Sequence, residues 1–122
     1  MKQKKHTIVF VDDDKVQHMI NKRVLQKMNL GVNMVFFVKP FEALEWLGTN
    51  NADVILLDIN MPEIDGWEFL KRMEAEGING NVKMLTASLD PGDVIKSEEF
   101  KQISGFLVKP LKEENYIELL AD

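Results

Sequence analysis

Ile8-Val9-Phe10-Val11-Asp12-Asp13-Asp14 changes character abruptly at residue 12, and the same kind of change recurs three times along the chain. Val54-Ile55-Leu56-Leu57 runs into Asp58, the run 82–85 into Thr86, and Phe106-Leu107-Val108 into Lys109. Runs this short, rich in Val, Ile, Leu and Phe and barely alternating, read as strands buried on both faces of a parallel sheet. The polar residues that end them then gather along one sheet edge, where open α/β sheets place their ligand sites. Carboxylates with one hydroxyl and one ammonium suit a divalent cation and a phosphoryl group.

Outward from these runs the chain alternates strand and helix five times. Strands are predicted over 7–11, 34–38, 54–57, 82–85 and 105–108. In the first helical segment Val16, Met19, Ile20, Arg23, Val24, Lys27 and Met28 recur at three- and four-residue spacing, a mostly apolar face for packing on the sheet, with Gly31 as the stop. The other helices are predicted over 41–47, ending near Gly48, over 66–76 before Gly77, over 91–100 and over 113–120. In the third, Trp67, Leu70 and Met73 share one side and Phe69 pairs with Met73. Asp14 with Gln17, and Asp65 with Glu68, have the spacing of capping boxes, and Asp90 caps ahead of a first-turn proline, Pro91. This order implies right-handed crossovers and helices on both faces of one sheet.

The 122 residues suit one domain with one core, and the composition is that of an ordinary globular protein. A net charge of −5 gives no general affinity for nucleic acid or anionic membrane. The one basic cluster, Lys2, Lys4 and Lys5, reads as a solvated tail. With no cysteine there is neither a disulfide framework nor a thiolate metal site. The apolar run after the basic start is too short for a signal peptide, and no stretch approaches membrane-spanning length. The expectation is a soluble, cytoplasmic protein.

Four segments, IVFVDDD (8–14), VILLDINMPEIDGWEFL (54–70), MLTAS (84–88) and FLVKPL (106–111), together resemble the receiver domain of two-component response regulators. Their order and spacing carry the resemblance, above all Asp58 followed by Met61-Pro62 and Asp65-Gly66. It covers essentially the whole chain. It implies a flavodoxin-like (βα)5 sandwich with a five-stranded parallel sheet in the order 2-1-3-4-5, and one receiver domain over residues 1–122 with no effector domain.

Asp58 is the expected phosphoacceptor, since a carboxylate can act as a nucleophile and form an acyl phosphate. Asp12 and Asp13 are the candidate metal ligands. Two like charges about 4 Å apart repel by about 4 kcal/mol at an effective dielectric near 20, and a hard divalent cation offsets that. The resemblance implies Mg²⁺, with Mn²⁺ able to substitute. It places Asp13 on the metal directly, Asp12 through water, Asp58 in the same metal site and Asn60 through its backbone carbonyl. Asp14 reads as the helix cap and not as a ligand.

Lys109 is the expected phosphoryl partner, in preference to Lys39, which also precedes a proline but ends the outer second strand. The resemblance implies a cis Lys109-Pro110 bond. It also implies that Thr86 is the switch hydroxyl, that Phe106 holds the switch-aromatic position without a hydroxyl, and that Asn60 and Ser88 tune phosphoryl lifetime. With no general base evident at those two positions, slow hydrolysis is expected. His6 and His18 lack any donor motif and read as surface histidines. Lys39-Pro40 replaces a turn that often contains glycine, which leaves Phe41 exposed.

The leading expectation is therefore a phosphorylation-controlled switch, not an enzyme beyond its own phosphoryl transfer and slow dephosphorylation. Its phosphoryl donor is a histidine kinase or phosphotransfer protein. Its output runs through an unidentified protein target, with phosphorylation-dependent dimerisation open and neither nucleic acid nor membrane as a partner. A pseudo-receiver that binds without phosphorylation is one alternative. An aspartyl-nucleophile phosphatase of the haloacid-dehalogenase type is another, because Asp12-Asp13-Asp14 contains an Asp-x-Asp spacing.

Overall fold

A computed structural model of the chain describes residues 6–121, so the Lys2, Lys4 and Lys5 cluster lies outside the described residues. Strand β1 (Thr7–Val11) leads to helix α1 (Lys15–Met28), β2 (Asn33–Phe37) to α2 (Pro40–Leu47), and β3 (Val54–Asp58) to α3 (Gly66–Ala75). Then β4 (Val82–Thr86) leads to α4 (Pro91–Ser97), and β5 (Ile103–Val108) to α5 (Glu113–Leu120). All pairings are parallel and the order is β2-β1-β3-β4-β5, as the resemblance implies. This is a flavodoxin-like fold.

β3 lies at the centre, paired to β1 on one side and β4 on the other. Its side chains alternate between two dry layers, which explains an apolar run without polar alternation. Ile55 and Leu57 join Val9, Val11, Phe69, Leu70, Met73 and Met84 on one face. Val54 and Leu56 join Ile8, Phe10, Leu25, Leu85 and Tyr116 on the other. Each such Leu, Ile or Phe contributes about 2 kcal/mol by leaving water. Asp58 thus ends a strand held from both sides and both faces.

The helix starts follow their local chemistry. Asp14 accepts from the Val16 and Gln17 amides, Asp65 from Glu68, and Asp90 from Gly92, satisfying donors that a first turn leaves free. Gly77 takes a left-handed conformation just past α3. At α1 the stop differs from expectation: Asn29 adopts the left-handed cap, and Gly31 lies two residues beyond it.

Two further expectations need correction. α4 ends at Ser97, three residues early. The amides of Glu98, Glu99 and Phe100 bond back only three residues, which tightens the chain and turns Phe100 into the core beside Trp67, 5.7 Å between ring centres. The face that α1 buries is also not the one its apolar residues suggest. His18, Asn21 and Leu25 are buried, while Val16, Met19 and Ile20 are exposed. His18 is therefore not a surface residue. The helix register follows from the Asp14 cap, and that register turns residue 18 toward the ends of β1 and β2.

Candidate functional site

Parallel strands all leave the sheet at the same edge, so the residues ending β1, β3, β4 and β5 converge there. Carboxylate oxygens of Asp12, Asp13 and Asp58 lie within 4.8 Å of one another, close enough to hold one cation jointly. Asp12 and Asp58 are buried and Asp13 faces solvent. Lys109 reaches across from the end of β5. Its Nζ stands 2.8 Å from Asp12 Oδ2 and 3.3 Å from Asp58 Oδ1.

Local backbone holds each acid. The Asp12 amide donates to the Phe37 carbonyl at 3.1 Å, tying the first acid to β2. Asp12 Oδ1 accepts from the Asp14 amide at 2.9 Å, and Asp58 Oδ1 from the Asn60 amide at 3.4 Å. Gly66, which opens α3, packs against the backbone of Asp58 itself. A Cβ there would stand 2.8 Å from the Asp58 carbonyl oxygen and 3.0 Å from Ile59 Cα. Only glycine allows α3 to approach β3 this closely, and the Gly66 amide uses that approach to donate to Ile59 O at 2.7 Å.

The electrostatics favour an incoming cation. Burial pushes the Asp58 carboxyl up to about 6, and the neighbouring Asp12 charge adds to the rise; Lys109 and the Asn60 amide oppose it. Burial pulls Lys109 down, but the bonds and charges of Asp12 and Asp58 outweigh it, so its ammonium is held above the ordinary range. Lys109 is closer to Asp12 than to Asp58, which leaves Asp58 the less compensated acid. This carboxylate gains most from further positive charge.

The remaining candidates divide. Thr86 ends β4 and is buried, but its hydroxyl donates to the Ser88 carbonyl at 2.8 Å and accepts from the Ser88 amide at 3.2 Å. The hydroxyl is therefore engaged by the loop after β4. Asn60 and Ser88 are exposed on the loops that follow β3 and β4. Phe106 is half-buried and packs on the Met84 side of the sheet. Lys109-Pro110 is cis, and the Lys109 amide donates to the Thr86 carbonyl at 2.8 Å. Lys39 is exposed at the start of α2, and Phe41 is exposed as expected, with the Arg72 guanidinium 5.1 Å from its ring centre.

His18, which the sequence reads as a surface histidine, touches the site instead. His18 Nε2 lies 2.7 Å from the Asp12 carbonyl oxygen and 3.1 Å from that of Phe37. The available signal was spacing: with Asp14 as cap, residues 18, 21 and 25 share one stripe, and two of the three are polar.

The family model for the response regulator receiver domain matches residues 8–121. A transcriptional regulatory protein of Bacillus subtilis, MalR, is 32% identical over 94% of this chain and 48% of its own length. The chain spans less than half the length of the first curated relatives it matches. Among solved structures, the Vibrio cholerae chemotaxis protein CheY4 superposes with a TM-score of 0.81 at 28% identity, covering 96% of this chain and 97% of that one. A two-component response regulator from Legionella pneumophila does so with a TM-score of 0.81 at 31% identity, covering 94% and 95%. No described helix is long and apolar enough to cross a membrane. Sheet order, acid cluster and family match converge on one assignment: the chain belongs to the receiver domain family of two-component response regulators.

Proposed function

We propose that this domain carries a phosphoryl group on Asp58 as a signal, received from the phosphohistidine of a histidine kinase or phosphotransfer protein. The observation that carries the reading is the convergence of Asp12, Asp13 and Asp58 with Lys109 bridging two of them. Mg²⁺ fits this donor set, which offers hard carboxylate oxygens around an under-compensated acid. Asp12, Asp13, Asp58 and the Asn60 backbone carbonyl would hold it, and it would neutralise charge on the phosphoryl oxygens.

In the transfer step an Asp58 carboxylate oxygen attacks phosphorus, forming an O–P bond. The donor's P–N bond breaks, its electron pair stays on the imidazole nitrogen, and that nitrogen takes up a proton. Lys109 is already beside Asp58 and meets the developing negative charge without large rearrangement, so the chain's contribution is positioning and charge stabilisation. Rigid mounting of Asp58 on the central strand serves the same end.

Switching follows from the two groups that the new charge competes for. Thr86 exchanges its bond with the Ser88 carbonyl for one to a phosphoryl oxygen, drawing in the loop after β4. Lys109 exchanges Asp12 for the phosphoryl group. A swing from 1:99 to 99:1 needs about 5.5 kcal/mol of differential stabilisation, and charge-assisted bonds from Lys109 and Thr86 supply part of it. Phe106 follows the loop by packing alone, because it has no hydroxyl. Asn60 and Ser88 offer no general base, so the phosphoryl group is long-lived. The output is a changed protein-binding face, with dimerisation as one form it can take.

The test is incubation with acetyl phosphate with and without Mg²⁺, followed by intact mass. A single Mg²⁺-dependent, hydroxylamine-labile adduct is expected. Absence of an adduct would favour an interaction module that works unphosphorylated.

A further inference from the structure

We infer that His18 is a positioning residue that presets the Asp12-Asp13 corner for cation binding, which deepens the cation-dependent reading of the site and rests on it. Asp12 supplies one of the three converging carboxylates, and its main chain is pinned on both sides. Its amide donates to the Phe37 carbonyl at 3.1 Å. Its carbonyl faces His18 Nε2 at 2.7 Å, and the same nitrogen lies 3.1 Å from the Phe37 carbonyl. One imidazole therefore bridges the exits of β1 and β2, where the chain leaves the sheet to form the acidic corner.

The chemistry assigns the proton. Both neighbours of Nε2 are carbonyl oxygens, which only accept, so Nε2 carries the hydrogen and donates to both. Nδ1 is buried with no hydrogen-bond partner among the described residues, so nothing there receives a second proton's hydrogen bond. The ring is held in place besides: His18 is 8% exposed and stands edge-on to Phe36, with ring centres 5.1 Å apart. An aromatic residue without a donor keeps the ring contact with Phe36. It would leave the Asp12 carbonyl buried without its donor, and the corner would relax by turning that peptide toward solvent. Such a turn moves the Asp12 and Asp13 carboxylates together, away from Asp58 and Lys109.

A residue that only packs the helix would alter stability alone, so cation affinity and the tautomer are the deciding readouts. Two variants of the full chain separate the roles: His18→Phe keeps an aromatic ring, somewhat larger, and removes the donor, while His18→Gln places an amide donor at the reach of Nε2. Mg²⁺ affinity is measured by calorimetry on wild type and variants, with circular dichroism as the check on folding. Nitrogen-15 spectra of the wild-type imidazole report the tautomer without any metal. The inference expects an Nε2–H tautomer, a Mg²⁺ Kd raised about tenfold in His18→Phe, and recovery toward wild type in His18→Gln. An Nδ1–H tautomer, unchanged affinity in folded His18→Phe, or His18→Gln binding as weakly as His18→Phe would each overturn it. If His18→Phe does not fold, the tautomer and the His18→Gln affinity decide. Wild-type protein that binds no Mg²⁺ overturns the underlying reading as well, whereas normal wild-type binding with an unaffected His18→Phe overturns this inference alone.

Discussion

The chain contains the same tripeptide twice, Val38-Lys39-Pro40 and Val108-Lys109-Pro110, each just at or past the end of a strand, and the two have opposite fates. At the first, Pro40 opens α2, Lys39 points into solvent, and the following Phe41 is 44% exposed. At the second the Lys-Pro bond is cis, Lys109 pairs with two buried acids, and the following Leu111 is 4% exposed. Three identical letters do not fix a lysine's surroundings. What separates the corners is which strand each one ends: β2 lies beyond β1 at one edge, while β5 is tied to β4, whose end adjoins Asp58.

Exchanging each lysine for a neutral residue breaks or sharpens that contrast most strongly. Lys109→Met should slow Mg²⁺-dependent phosphorylation from acetyl phosphate by about a hundredfold, the usual scale for losing one charge-stabilising donor. Lys39→Met should leave the rate unchanged. Equal slowing in both would mean that the sheet order does not decide which lysine acts.

Proton linkage gives the next largest effect. Asp58 stands near 6 in the folded protein against 3.8 as a free side chain, so between those values the folded state binds more protons than the unfolded one. Stability then falls as pH rises through that window. In chelator, Asp58→Asn should lack this fall and gain on wild type progressively from about pH 4 to pH 6, and remain level above. Urea titrations across pH measure it. Lys109→Met should extend the window upward, since the lysine opposes the rise, and Lys39→Met should not move it.

A third change leaves both lysines alone and moves Asp58. Gly66→Ala puts a methyl group against the Asp58 carbonyl and should cost about 2 kcal/mol of stability, read by chemical denaturation. It should slow phosphorylation as well, because Asp58 must shift. The smallest effect belongs to the exposed corner. Arg72→Ala removes the cation over Phe41 and one exposed ion pair to Glu68, and should cost about 0.5 kcal/mol without touching phosphorylation.

The pattern of these effects mirrors how much each region shows in the sequence. Asp12, Asp13, Asp58, Thr86 and Lys109 are legible because abrupt strand ends mark one sheet edge, and parallel order brings such ends together. Asp14, Asp65 and Asp90 are legible because capping is local. His18 and Asn21 were not, because helical periodicity identifies a stripe without saying which stripe meets the sheet. Val16, Met19 and Ile20 offered the apolar stripe, yet the cap and the bond to the Asp12 carbonyl set the register instead. The end of α4 was equally hidden, since Phe100 continues the helical spacing and only its place beside Trp67 shows why the helix has already stopped. Thr86 was legible as a residue but not in its state, with its hydroxyl held by Ser88.

Everything proposed for the site depends on Asp58 taking the phosphoryl group. Intact mass spectrometry of wild type and Asp58→Asn after acetyl phosphate and Mg²⁺ tests it most directly. One hydroxylamine-labile adduct is expected on wild type and none on Asp58→Asn; an adduct that persists in Asp58→Asn, or none on either, would rule out Asp58 as the phosphorylated residue.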